Sequence, residues 1–197
     1  MIKNILIGTV LVLMMVASAG ATEVKVYPAS QTVAAGDPFH VDVVVVDVDD
    51  LKGYAATLNF NPGAMQVTGI TEGAFLKTGG TTVPIFSLDN VTGTATFAST
   101  LGFYDPWTTV SGSGILATIQ FSTYPGAPAD TYDLTLTNVE LRNASNALIP
   151  ISVVDGTVTI ERAAPTPVPA LSEIGMIVLT GMLAIVLAIS VAKRRRE

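Results

Sequence analysis

The chain has 197 residues and a formal net charge of −6, with 49% apolar residues, 13% charged, no cysteine and one histidine. At about 100–200 residues per domain this admits one globular unit, and the lack of cysteine beside a single histidine removes thiol nucleophiles, disulfide scaffolds and Cys/His zinc sets. Mean hydropathy is +0.54, high for a soluble domain with its usual charged fraction of about 25%, so apolar excess is concentrated somewhere, and it lies at the two ends.

Residues 1–21 carry one cation, Lys3, then the uncharged run Ile5 to Val16, then the small residues Ala17-Ser18-Ala19-Gly20-Ala21. This is the layout of a secretory signal peptide, with cleavage expected after Ala19 or Ala21. Its apolar run falls short of the roughly 20 residues that span hydrocarbon; a retained anchor is the alternative.

Residues 22–162 form the body. It holds five Lys and Arg (Lys25, Lys52, Lys77, Arg142, Arg162) against fourteen Asp and Glu, a net of about −9. Such a surface repels phosphate backbones, whose binding rests on cationic contacts, so nucleic acid is not expected as a partner. With no cysteine, the body is held by its core alone.

Apolar residues here recur at every second position, the period of half-buried strands. The runs in chain order are Val24 to Tyr27, Phe39 to Val45, Gly53 to Phe60, Met65 to Ile70, Val83 to Leu88, Thr94 to Ser99, Ile115 to Ser122, Tyr132 to Thr137 and Ser152 to Ile160. Threonines 57, 94, 96, 118, 135, 157 and 159 occupy the outward positions, where a β-branched polar side chain suits a solvated sheet. Asn61-Pro62-Gly63, Gly79-Gly80, Gly112-Ser113-Gly114 and Asp155-Gly156 are expected turns. The prediction is an all-β, nine-stranded antiparallel jelly-roll sandwich.

Residues 163–173 contain Ala163-Ala164-Pro165-Thr166-Pro167-Val168-Pro169-Ala170, a stiff linker favouring polyproline II. Residues 174–192 are 19 uncharged positions, about 28 Å as a helix, enough to cross a bilayer core. Residues 193–197 open with Lys193-Arg194-Arg195-Arg196, which places that end in the cytoplasm and the body outside. The expected localisation is an exported, single-pass protein of the cell membrane. The order of the motif Val168 to Gly175, an apolar helix and a basic tail resembles the C-terminal sorting signals processed by exosortases and archaeosortases. That resemblance implies removal of the helix and re-anchoring; plain retention is the alternative.

A second resemblance spans the body from Val26 to Ile160. Ala35-Gly36-Asp37 precedes the second run, and Gly53-Tyr54-Ala55-Ala56-Thr57-Leu58-Asn59-Phe60-Asn61-Pro62 forms the third. Gly93-Thr94-Ala95-Thr96-Phe97, Gly114-Ile115-Leu116-Ala117-Thr118-Ile119-Gln120-Phe121 and Val154-Asp155-Gly156-Thr157-Val158-Thr159-Ile160 follow in order. Together they resemble a cohesin domain, the module that receives dockerins in cellulosome-type assemblies. The resemblance implies a jelly-roll sandwich that docks a dockerin-like module of another secreted protein on one sheet face, with a link to polysaccharide degradation. It places Ala55, Thr57, Asn59, Thr96 and Ala98 on that face. Cellulosomal members commonly carry an acidic residue at the position of Ala55 and a larger apolar one at Ala98.

Other candidates come from the residues themselves. Phe103-Tyr104-Asp105-Pro106-Trp107 holds the single tryptophan, and a loop displaying Tyr104 and Trp107 suits stacking on a sugar or a peptide; the alternative is that Phe103 and Trp107 cap the core. A carbohydrate-binding module, or a structural surface protein, is therefore the rival function. Asp47, Asp49 and Asp50 offer oxygens of the kind Ca²⁺ takes, but lack the D-x-D-x-D-G pattern, and in a cohesin–dockerin pair calcium belongs to the dockerin. No cofactor or metal is expected in this chain. His40 stands alone on an outward position. Asn90-Val91-Thr92 and Asn143-Ala144-Ser145 are glycosylation sequons. No G-x-S-x-G, H-E-x-x-H or phosphate-cradling loop is present, so no catalytic residue is assigned and the protein is not expected to be an enzyme.

Overall fold

The structure is a computed structural model that describes residues 21–102, 108–162 and 181–182. The signal peptide, linker, sorting motif and basic tail expected from the sequence lie outside the described residues, as does the apolar 174–192 stretch apart from the helical pair Gly181 and Met182. The loop with Tyr104 and Trp107 also lies outside them.

The body is all-β, with ten strands: β1 (Glu23–Tyr27), β2 (Ser30–Ala34), β3 (Pro38–Asn59), β4 (Met65–Glu72), β5 (Thr82–Asp89), β6 (Thr94–Leu101), β7 (Val110–Thr123), β8 (Asp130–Asn143), β9 (Ser152–Val154) and β10 (Gly156–Glu161), plus a 3₁₀ turn at Leu76–Gly79. One sheet runs β5–β6–β3–β8–β10–β2 through the C-terminal half of β3. The other runs β4–β7–β3–β1–β9 through its N-terminal half. The count of ten replaces the expected nine because two expected strands are halves of one, β2 was not anticipated, and the last run divides into β9 and β10. Two pairings are parallel, β1 with β9 and β10 with β2, so the sandwich is mixed rather than wholly antiparallel.

The 22-residue β3 is what joins the sheets. Phe39, Val41, Val43 and Val45 face the core, then Val48 and Leu51, then Tyr54, Ala56 and Leu58. The inward parity switches from odd to even because the pairing register slips between Val45 and Leu51, and each bulge turns the next side chains over. Asp47 (φ 51°) and Asp50 (φ 58°) occupy the left-handed region there, which Asp tolerates better than most residues. The acidic cluster therefore lies inside β3, at its register slip. Ser111 Oγ donates to Asp49 Oδ1 (2.7 Å) and Ser113 Oγ to Asp47 Oδ1 (3.3 Å), while the same hydroxyls accept the Asp50 and Asp47 N–H groups. Gly112-Ser113-Gly114, read as a turn, belongs to β7 and supplies these bonds. His40 is exposed, as expected.

Every buried apolar side chain among the described residues falls between Val24 and Ile160, and all ladders close within residues 23–161. The body thus carries its own core and folds as a unit.

Candidate functional site

Strand pairing arranges the outer face of β5, β6, β3 and β8 as four rows. The first is Val83–Thr100–Gly53–Arg142, the second Ile85–Ala98–Ala55–Glu140, the third Ser87–Thr96–Thr57–Thr137, and the fourth Asp89–Thr94–Asn59–Thr135. Ala55, Thr57, Asn59, Thr96 and Ala98 are thus brought together, with Ala55 directly opposite Ala98 and Thr57 opposite Thr96. None is buried.

The two halves of this face differ. In the polar half the groups satisfy one another: Thr57 and Thr96 share a hydroxyl–hydroxyl bond of 3.0 Å, and Asn59 Nδ2 donates to Thr137 Oγ1 (2.8 Å) and Thr135 O (3.1 Å). In the other half, small residues stand in the middle of each row and large ones at its ends. That contrast produces a depression of about 440 Å³ with Gly53, Ala55 and Ala98 in its floor, Val83 and Ile85 on one side and Glu140 and Arg142 on the other. A Cβ added at Gly53 would stand 3.1 Å from Ser99 O and Thr100 Oγ1, so the floor is closely fitted there.

The rim is polar and closed on itself. Arg142 Nη2 lies 2.7 Å from Glu140 Oε2, and Nη1 donates to Asn146 O at 3.1 Å. Lys52 Nζ donates to Thr108 O at 3.2 Å. Behind the floor Tyr54, buried, donates its hydroxyl to Leu116 O at 2.6 Å, and burial, then the charge of Glu72, pushes its pKa well above the ordinary tyrosine value. A phenol whose ionisation the fold resists leaves stability intact up to about pH 10, where the unfolded side chain titrates, and lowers it as pH rises further. Tyr54→Phe is expected to flatten that alkaline decline while costing about 1 kcal/mol at pH 7, as urea midpoints at pH 7, 9 and 11 would show; an unchanged alkaline decline would contradict it.

Val83, Ile85, Gly53, Glu140 and Arg142 were not among the site residues read off the sequence. Asn90 and Asn143 differ in their surroundings. Asn90 Oδ1 accepts the Val67 N–H (2.8 Å) and its Nδ2 donates to Val67 O (3.0 Å), clamping β5 to β4. Asn143 lines the depression, and its Oδ1 accepts the Ala147 N–H at 2.9 Å. Among the described residues no group of three or more His, Asp or Glu is placed to hold a metal ion.

A family profile for the cohesin domain matches residues 23–160. The chain belongs to the cohesin family. Solved cohesins share its fold at low identity. The non-cellulosomal cohesin of the hyperthermophilic archaeon Archaeoglobus fulgidus is 15% identical, with TM-score 0.58 over 72% of this chain and 91% of that one. A type I cohesin–dockerin complex from Clostridium thermocellum gives 11%, TM-score 0.63, and 72% and 99% coverage. The third cohesin of the ScaC protein of Acetivibrio cellulolyticus, solved with the ScaB dockerin, gives 18%, 0.60, and 71% and 98%. A search of the curated proteins finds no match. These likenesses establish the cohesin sandwich for this body; cohesins of this fold are solved bound to dockerins.

Proposed function

We propose that this cohesin acts by non-covalent docking and not by catalysis, and that its β5–β6–β3–β8 face receives a dockerin-like module of another secreted protein. One observation carries the reading. The eight positions that β6 and β3 contribute to the middle of this face carry no charged group, while Asp89, Glu140 and Arg142 stand at its margins on β5 and β8, and the depression is flanked on one side by the exposed apolar side chains of Val83 and Ile85. An uncharged centre with its charges at the margin is the arrangement of an interface core and rim.

The attachment expected from the sequence completes the proposal: export, with tethering through residues 174–192 or through an anchor that replaces them. Its support is the apolar length and the basic tail. The body is compatible with that arrangement, since its last strand ends at Glu161, one residue past the Ile160–Asp130 pair, at the opposite end of β8 from Arg142 and the depression. A surface-held cohesin would gather dockerin-bearing enzymes, consistent with a role in polysaccharide breakdown. Sugar stacking on Tyr104 and Trp107 is the competing function.

The test uses the body, residues 21–162, against dockerin modules with calcium and then with chelator. Calcium-dependent binding is expected, and Ala55→Arg, which fills the depression with a cation, is expected to weaken it at least tenfold, beyond about 1.4 kcal/mol. His40→Arg on the other sheet serves as the control. Binding unaffected by Ala55→Arg would move the site elsewhere, and retention on a polysaccharide that Trp107→Ala abolishes would favour the carbohydrate function.

A further inference from the structure

We infer that the depression is a socket for one large uncharged side chain, aliphatic or aromatic, projecting from the partner protein; the inference rests on the docking face proposed above and names what that face selects.

Three observations converge. The socket's volume of about 440 Å³ lies in the range of pockets that take drug-sized ligands, roughly 300–1,000 Å³, and so has room for any single side chain, whereas in the neighbouring polar half of the face the hydroxyls and amide are bonded to each other. Its wall consists of side chains that the body leaves unburied: Ile85 is 67% and Val83 43% exposed, on a strand whose residues are otherwise nearly all exposed. Covering them removes apolar surface from water, which is where the energy of such an interface resides. The charges around the socket are also already committed. Arg142 is held by Glu140 and by Asn146 O, and Lys52 by Thr108 O. A charged occupant would be partly desolvated and would compete with these partners for a counter-charge, a cost that an uncharged one does not meet.

Selection against charge is therefore built into the rim, and selection for size into the floor. Gly53, Ala55 and Ala98 leave the space, so enlarging one of them should exclude the occupant without disturbing the core, because Ala55 and Ala98 point outward.

The experiment is an amide-shift titration of the isotope-labelled body with N-acetyl-tryptophanamide and N-acetyl-leucinamide, alongside N-acetyl-lysinamide and N-acetyl-aspartate amide. The two neutral apolar probes should shift the amides of Gly53, Ala55, Ala98 and Thr100 in a saturable way. The charged probes should not, and Ala98→Leu should remove the response while Thr96→Val in the polar half keeps it. No saturable shift, equal shifts from the charged probes, or an undiminished response in Ala98→Leu would each overturn the socket. Against a dockerin that binds the face, Ala98→Leu should lower affinity at least tenfold; if that dockerin binds Ala98→Leu normally, the socket fails while the docking face stands. If the neutral probes fill the socket but no dockerin binds the body, the docking reading fails and the socket stands.

Discussion

Phe121→Ala is expected to lower the unfolding free energy of the body by about 3–5 kcal/mol, the cost of removing a fully buried ring from a packed core. Phe121 is 1% exposed on β7. Its ring stacks on Phe39 at 4.9 Å and 6°, and meets Phe60 edge-on at 5.4 Å and 83°. Phe39 begins β3 and Phe60 immediately follows its end, so these three rings tie the start of the strand in one sheet to its finish at the other. Each aromatic pair adds about 0.5–1.5 kcal/mol beyond area burial. No disulfide can compensate, because the chain has no cysteine. Urea unfolding of the body should show the midpoint falling with little change in slope, while Tyr27→Ala, at a residue 59% exposed, should change stability by less than about 0.5 kcal/mol. A loss below about 1.5 kcal/mol for Phe121→Ala would mean that the triad is not the joint between the sheets.

The alternation that makes these strands was legible because one face of each is buried and the other wet. Phe39 to Val45, Ile119 to Phe121 and Leu134 to Leu136 all face as their parity requires. The bulges were not legible, since a bulge adds one residue without altering composition. In β8 the register slips between Thr137 and Glu140, next to Asn138 at φ 51°; Leu134 and Leu136 face inward before it and Leu141 after it. That slip is what turns Glu140 and Arg142 out to the rim of the depression, and a reading that stopped at Thr137 had no means of placing them. Ala55 and Ala98 were found through their family resemblance, at positions where cellulosomal members commonly carry larger residues, and nothing in the sequence showed what their smallness does. Between Ile85 and Glu140 it becomes a cavity, which only cross-strand register can reveal. The apolar pairs Val83/Ile85 and Phe86/Leu88, on opposite sides of one strand, were the available signal that β5 is no ordinary half-wet edge.

The same effect hides Glu72, which carries the other large expected loss. Parity from Met65 and Val67 would send Glu72 outward, but a register slip between Val67 and Gly69 reverses the strand, and its side chain is 4% exposed. Ser99 Oγ donates to Oε1 at 2.5 Å, Thr82 Oγ1 donates to Oε2 at 2.9 Å, and Lys77 Nζ lies 3.4 Å from Oε2. Glu72 thereby joins β4 of one sheet to β5 and β6 of the other. Hydrogen bonds to a charged acceptor contribute about 1.5–3 kcal/mol each, and the Lys77 pair adds little because that ammonium is half exposed. Glu72→Ala also leaves the buried Ser99 hydroxyl without its acceptor. The expected loss is about 2–4 kcal/mol, and Glu72→Gln, which keeps an acceptor oxygen and the volume, should lose less than half of that. The location matters more than the total. None of the side chains of β5 is fully buried, so the ladder to β6, the Asn90 clamp and the Thr82 bond are what hold it. Removing the carboxylate should speed hydrogen exchange at Thr82 to Asp89 ahead of global unfolding, and with it loosen Val83 and Ile85, the apolar wall of the depression. If exchange in β5 rose no more than exchange in β7, Glu72 would stabilise the sandwich as a whole without holding the docking face in shape.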